Sequence, residues 1–159
     1  MKAASLSELK QELTTLTPKQ LLDICMRLAK HKKENKELIT YLLFEASDEE
    51  TFIKNIKTET EVQFSEMNSS NLYLAKKSIR KILRTINKFI RYSGLKQTEA
   101  ELRIHYCKTL EQSGIHFRKS PVLCNLYNHQ LKKIEAAIAT LHEDLQYDFK
   151  KEMKGLEEC

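Results

Sequence analysis

Apolar residues recur along this chain at intervals of three and four, the spacing that places them on one face of an α-helix. Thr17 is the predicted N-cap of one such helix, with Pro18 at the first helical position, and its apolar stripe consists of Leu21, Leu22, Cys25, Leu28 and Ala29. Similar stripes continue to the end of the chain, and no segment has the alternating pattern of a credible strand. The pattern therefore predicts an all-α fold.

Helix start and stop signals divide this pattern into about seven helices. Two pairs of residues have the spacing of a capping box: Ser5 with Glu8, and Thr98 with Glu101. In a capping box, each of the two side chains accepts a hydrogen bond from the backbone N–H group of the other residue. Gly94 follows a long apolar stripe, as expected of the residue that ends a helix. The chain has only 3 Gly and 2 Pro, which is typical of a mostly helical protein.

Short connections between successive helices favour antiparallel packing, so helical hairpins are the expected building unit. The expected hairpins cover about residues 17–46, 48–93 and 98–154, and each is longer than the one before it. Repeat proteins keep a fixed period, so these hairpins are not a regular repeat. We therefore expect a single domain over residues 1–159. It would be either an irregular helical bundle or a short α-solenoid-like stack.

The last and longest predicted helix covers about residues 121–154. From Cys124 to Leu145 its apolar residues alternate spacings of three and four, which gives a heptad seam. Packing against the protein's own helices is the favoured role, because the seam is barely long enough for a coiled coil. A homodimer is the less favoured alternative, and it would use Leu131, Ile134, Ile138, Leu141 and Leu145.

Charge is concentrated in one helix, predicted over about residues 71–93. The segment from Met67 to Thr98 has eight basic residues and no Asp or Glu, although the whole chain has a formal net charge of only +5. On a helical wheel the apolar residues face the core, and the cations cover an arc of roughly 140° outside it. The predicted contact residues on this arc are Lys76, Lys77, Arg80, Lys81, Arg84, Lys88 and Arg91.

Such an arc needs counter-charge, either from the fold or from a partner. The simplest interpretation is neutralisation by the preceding segment, Glu45 to Glu66, which has seven acids and two lysines. Otherwise the arc is the best candidate surface for an acidic protein partner. Sequence-nonspecific binding of nucleic acid phosphates is the alternative, although only Tyr73 and Tyr92 accompany the cations.

No catalytic or metal-binding motif is present. The glycines lie at predicted helix ends, and neither CxxC nor HExxH occurs. A zinc site from Cys107, His116 and Cys124, or a Cys–His nucleophile, would need the tertiary fold to bring these residues together. We therefore predict no catalytic residue, cofactor or metal ligand, and a helical enzyme without a recognisable motif is only the third alternative.

The expected cellular setting follows from what the sequence does not contain. No apolar run approaches the ~20 residues that cross a bilayer, and the N-terminus lacks the apolar stretch of a signal peptide. The four cysteines show no close pairing, so we expect them to be reduced. These observations favour a cytoplasmic, non-enzymatic interaction or scaffold module.

Overall fold

The computed structural model describes residues 2–68 and 71–159, and within them it has eight α-helices and no strand. This confirms the all-α fold with about seven helices. A π-helical turn, Tyr41–Glu45, follows α3, and a 3-10 turn, Phe117–Lys119, precedes α7. The helices are α1 (Leu6–Thr14), α2 (Pro18–His31), α3 (Lys33–Thr40), α4 (Glu49–Ser65), α5 (Leu72–Ser93), α6 (Lys96–Gln112), α7 (Pro121–Ile138) and α8 (Glu143–Glu152).

The chain divides into two compact units, residues 1–44 and 45–159. The first unit contains α1, α2 and α3, and α2 contacts α3. No residue of these three helices is buried. The single domain over residues 1–159 stays a prediction, and the two units are described separately.

Helix α6 is the centre of the second unit. It packs against α4, α5 and α7, and it also contacts α8. Its side chains Leu102, Ile104, Tyr106, Cys107 and Leu110 are at most 1% exposed. The helices of this unit are therefore arranged around α6, and α5 and α7 are held together mainly through it.

Local capping explains several helix boundaries. The hydroxyl oxygen of Ser5 accepts a hydrogen bond from the N–H of Glu8, and the Glu8 carboxylate accepts one from the N–H of Ser5. Thr17 and Gln20 form a second capping box at the start of α2. Gly94 has φ 69°, and it ends α5 in the left-handed conformation that glycine adopts without a Cβ clash.

The capping box predicted at Thr98 and Glu101 is wrong. Helix α6 begins earlier, at Lys96, and the buried hydroxyl of Thr98 donates to Oε1 of Glu49 at 2.6 Å. The reason is burial: a hydroxyl packed between α4 and α6 needs an acceptor there rather than at the helix end. Glu101 also forms a tertiary contact instead of a cap: its Oε1 pairs with Nζ of Lys57 on α4 at 2.6 Å.

The single helix predicted over residues 121–154 is also wrong. The chain breaks between Ile138 and Glu143, and α8 then contacts both α6 and α7. A ring nitrogen of His142 accepts from the N–H of Asp144, and two acids stand in the first turn of α8, where the helix dipole favours them. The apolar residues keep helical spacing without interruption as far as Leu145, so the sequence pattern predicted one continuous helix and not a new helix start at His142.

The apolar seam that could have formed a dimer packs inside the second unit. Leu131, Ile134 and Ile138 are buried in α7, and Leu141 lies in the break between the two helices. Leu145 belongs to α8, so the five residues do not share one helix. We propose no dimer through these residues, because most of their surface is already used by this chain's own core.

The C-terminal tail folds back onto α7. Cys124 and Cys159 form a disulfide, with their Cα atoms 5.5 Å apart, so the expectation of four unpaired cysteines is wrong. The guanidinium of Arg118 donates to the carbonyl oxygens of Glu157 and Glu158 and holds the same tail. The two cysteines are 35 residues apart, and their meeting depends on the path of the tail, for which the sequence has no local signal.

Candidate interaction groove

The cationic side of α5 faces away from the core, as its sequence predicted. Ala75, Ile79, Ile82 and Ile86 are buried along the opposite side, and Ile90 is buried at the edge between the two sides. From Lys76 to Arg91 the predicted contact residues follow about 22 Å of helix, at 1.5 Å per residue. Five of them are exposed, and Lys76 and Lys88 are partly covered.

Within the described residues, the acids of helix α4 form no ion pair with the cations of α5 other than Lys88. Helix α4 meets α5 through apolar contacts, with the rings of Phe52 and Phe89 5.9 Å apart. Two of its acids have other partners: Glu49 accepts hydrogen bonds from the hydroxyls of Ser93, the last residue of α5, and Thr98, and Glu61 lies 3.4 Å from a ring nitrogen of His105. Across residues 2–68 and 71–159 there is no ion pair to Lys76, Lys77, Arg80, Lys81, Arg84 or Arg91.

Two adjoining cavities lie along α5, on the side toward α7, and we call them together the α5–α7 groove. Arg84 and Asn87 line both cavities and mark the centre of the groove. The first has a volume of about 570 Å³, and its other lining residues are Tyr73, Lys76, Lys77, Arg80, Leu83 and Leu126. The second has a volume of about 660 Å³, and its other lining residues are Ile90, Arg91, Gly94, Leu95, Lys96, Glu99, Arg103 and Lys133.

The groove separates the seven predicted contact residues into two sets. Five of them line it: Lys76, Lys77, Arg80, Arg84 and Arg91. Lys81 is exposed on the same helix but lines neither cavity. Lys88 also lies outside, with its Nζ 5.0 Å from the ring centroid of Phe89. Lys81 is therefore a natural control for the groove cations.

A buried arginine joins the two walls beneath the groove. Arg103 of α6 is 4% exposed, and its Nη1 donates to Oδ1 of Asn87 on α5 at 2.9 Å and to Oε1 of Gln130 on α7 at 2.6 Å. Its Nε and Nη2 both donate to Oε1 of Glu99. A buried charge is tolerated when it is paired and hydrogen-bonded, and these contacts pair the charge and use four of its five N–H groups.

The carboxylate of Glu99 is already occupied. Burial alone would raise the pKa of this carboxyl, but hydrogen bonds from Lys96 and Arg103 outweigh burial, and the pKa is lowered. Nζ of Lys96 lies 2.8 Å from Oε2, and Nη2 of Arg103 lies 2.9 Å from Oε1. Glu99 is the one carboxylate among the described lining residues of the groove, so it leaves the other cations without a counter-charge.

Arg103 also determines what Asn87 presents to the groove. The carboxamide oxygen of Asn87 accepts from Arg103, so the assignment that satisfies this bond leaves the NH₂ group as the free end. No acceptor for that NH₂ group lies in residues 2–68 or 71–159. At its centre the groove therefore offers the NH₂ group of Asn87 next to the guanidinium of Arg84, and both are donors.

The sequence did not indicate several groove residues. Leu126 and Lys133 come from α7 and reach the groove only through the packing of α7 on α6. Glu99 and Arg103 are four residues apart, which is also the spacing of an ordinary ion pair on a helix surface. The spacing alone therefore did not indicate that the two side chains belong to a buried network. Burial of Arg103 at an otherwise apolar position of α6 is visible only in the folded structure.

The cysteine and histidine candidates are not brought together. Cys107 is buried, and burial raises the pKa of its thiol to about 12, which suppresses the reactive thiolate. Cys124 is in the disulfide, and His116 is exposed. Over residues 2–68 and 71–159, no group of three or more His, Cys, Asp or Glu side chains is placed to hold a metal ion.

The first unit exposes apolar side chains in addition to its charged ones. On α1, Leu6, Leu9 and Leu13 share one face and are 85%, 47% and 39% exposed. In the π-helical turn, Leu43 and Phe44 are 68% and 72% exposed. Exposed apolar patches of this kind are uncommon on monomeric proteins, so this unit has an unpartnered apolar surface.

The groove is suited to binding an anionic group that carries apolar surface beside it. Guanidinium and ammonium groups form strong charge-assisted hydrogen bonds to carboxylates and phosphates, while Leu83, Leu126 and Tyr73 offer apolar contact. None of the helices formed by the described residues is long and apolar enough to cross a membrane. Comparison with protein-family models, with curated proteins and with solved structures finds no match to this chain.

Proposed function

We propose that this protein is a non-enzymatic interaction module that binds an acidic protein surface through the α5–α7 groove. The observation that carries the proposal is the unneutralised charge: five predicted contact residues line the groove, and none of them forms an ion pair within the described residues. Like charges four residues apart on α5 cost about 0.2–0.5 kcal/mol per pair. Carboxylates of a partner would relieve this repulsion.

The apolar lining of the groove supports a protein partner. Leu83 and Leu126 line the first cavity, and Ile90 and Leu95 line the second. An acidic protein surface supplies both carboxylates and apolar side chains, whereas a phosphate backbone supplies charge without apolar side chains. The cytoplasmic location stays a prediction from the sequence, and the disulfide between Cys124 and Cys159 removes the cysteine argument for it.

Binding of nucleic acid phosphates is the second candidate, and two observations favour it. Lys76, Arg80 and Arg84 follow one another at four-residue intervals, which places three cations in a row along the helix. Tyr73 stands at the end of this row with 76% of its surface exposed and could stack on a base. Both candidates use the same groove, and they differ in the salt dependence of binding.

The test compares two charge-reversed variants in affinity capture from native lysate. Arg80→Glu/Arg84→Glu/Arg91→Glu should lose acidic proteins that the wild type retains, while Lys81→Glu should keep them. Circular dichroism checks that both variants are folded. Retention of every partner by the triple variant would contradict the proposal. Tight binding of a 20-base-pair duplex, with a log–log salt slope of several units, would favour the second candidate instead.

A further inference from the structure

The position of the groove in the second unit indicates the shape of the partner. Helices α5 and α7 both pack on α6, and in the described part of the chain they make little direct contact with each other. Arg103 of α6 lines the groove and hydrogen-bonds to both walls. A helix laid over α6 between α5 and α7 would occupy the place of a neighbouring helix in a bundle, where axes lie about 8–10 Å apart.

We propose that the α5–α7 groove binds an acidic amphipathic α-helix of the partner protein, laid along α5. This inference rests on the proposed function and adds the secondary structure and the charge pattern of the partner. The partner helix would place its acids against the cations of α5 and its apolar residues in the two cavities.

The cation spacing on α5 suits a helical partner. Lys76, Arg80 and Arg84 are separated by four residues, which is about 6 Å along the axis for each step. Acids at i, i+4 and i+8 of an aligned partner helix have the same spacing. One row of three partner carboxylates can therefore face one row of three cations without distorting either helix.

The spacing of the apolar residues that line the two cavities also favours a helical partner. Leu83 lines the first cavity and Ile90 the second, and they are seven residues apart, or about 10 Å along α5. Residues i and i+7 of a partner helix have this separation and lie on one face. One apolar side chain can thus enter each cavity, and a residue between them meets the donors of Arg84 and Asn87 at the centre.

An extended partner segment fits less well. Such a segment needs backbone hydrogen-bond partners when it is buried, as in the addition of a strand to a sheet edge. The walls of the groove are helices, whose interior N–H and C=O groups are already paired within each helix. An α-helix satisfies its own backbone and contributes only side chains, which is what this groove can receive.

The test is a selection that does not assume a partner. Random 20-residue peptides displayed on phage are selected on the full-length protein and depleted on the Arg80→Ala/Arg84→Ala variant. Enriched peptides should carry acids at i, i+4 and i+8, and apolar residues about seven apart. Enriched acidic peptides without helical periodicity would overturn the helix and leave the proposed function intact. A selection that enriches no acidic peptide dependent on the groove would overturn both.

A selected peptide is then measured by fluorescence anisotropy. Arg84→Ala and Asn87→Asp should each weaken binding by about tenfold, the effect typical of a central interface residue. Lys81→Ala, outside the groove, should change the Kd by less than about twofold, as rim charges do. Circular dichroism should show gained helix when the peptide binds. A peptide that binds without gaining helix, or that loses equal affinity with Lys81→Ala, would overturn the inference.

Discussion

Nη1 of Arg103 donates to the carboxamide oxygen of Asn87 across 2.9 Å and so connects the interior of the second unit to the wall of the groove. The same guanidinium reaches Gln130 on α7 and Glu99 on its own helix. The network holds the two walls in position and directs the donor end of Asn87 away from Arg103. The geometry of the groove and the stability of the core therefore depend on the same buried charge.

Replacing Asn87 with Asp should separate these two roles. The new carboxylate still accepts from Arg103, so the urea midpoint of unfolding should equal or exceed that of the wild type. The Asn87→Asp substitution also removes the NH₂ donor and adds a negative charge to the groove, so binding of an acidic peptide should weaken. Asn87→Ala is the contrast: it removes an acceptor of Arg103 and should cost about 1–2 kcal/mol of stability. Equal destabilisation by both variants would contradict this account.

Removing the carboxylate of Glu99 should destabilise the protein strongly. Glu99→Ala leaves the buried charge of Arg103 without its ion-pair partner, and breaking a buried pair in this way costs about 3 kcal/mol or more. The free energy of unfolding in urea measures the effect. The double variant Glu99→Leu/Arg103→Met should recover much of the loss, because it removes both charges. A cost below about 1 kcal/mol for Glu99→Ala, as at an exposed pair, would count against the network.

Stability should fall below neutral pH because of His105. Burial lowers the pKa of this imidazole from 6.5 and outweighs the opposing attraction of the Glu61 carboxylate, while Lys57 and Lys108 lower the pKa further. The unfolded chain therefore binds the proton more readily than the folded one. The contribution of His105 is highest above pH 6.5 and decreases as the pH falls through this value toward the lowered pKa of the folded state.

The measurement is urea unfolding between pH 5.5 and 7.5 for the wild type and His105→Gln. The difference in unfolding free energy between the two proteins should change with pH, and the wild type should lose more stability on acidification. His129→Gln serves as the control because this side chain is exposed on α7. A constant difference between wild type and His105→Gln across the range would refute the assignment.

Reduction of the disulfide should lower stability without unfolding the helices. The bond between Cys124 and Cys159 closes a segment with a sequence separation of 35, and cross-links of this size stabilise by about 2–4 kcal/mol. Cys159→Ser and reduced wild type should therefore unfold at the same lower urea concentration. Cys25→Ser, which removes an exposed free thiol, should leave the midpoint unchanged. A midpoint insensitive to reductant would be the contradicting result.

Local chemistry made part of this structure predictable. The capping box at Ser5 and Glu8, and the left-handed Gly94, depend on neighbouring residues, and both were readable from the sequence. The cationic side of α5 followed from helical periodicity for the same reason. The prediction failed where tertiary contacts compete with local signals. Thr98 caps no helix, because its hydroxyl donates a hydrogen bond to Glu49 on α4.

The candidate site shows the same division. Lys76, Lys77, Arg80, Arg84 and Arg91 were predicted from charge and periodicity, and they line the groove. The opposite wall and the floor came from α7 and α6, and no local pattern relates those helices to α5. The sequence also could not show whether α4 neutralises the cations, because that depends on which side of α5 it covers.

The most direct measurement of the central claim compares Arg84→Glu with Lys81→Glu in binding an acidic peptide selected on the groove. Both substitutions lie on α5 and change the net charge equally, so they differ in whether the side chain lines the groove. Arg84→Glu should weaken binding by at least about tenfold, and Lys81→Glu should stay within about twofold of the wild type. Equal losses for the two variants would show that net charge rather than the groove binds the peptide, and would contradict the account.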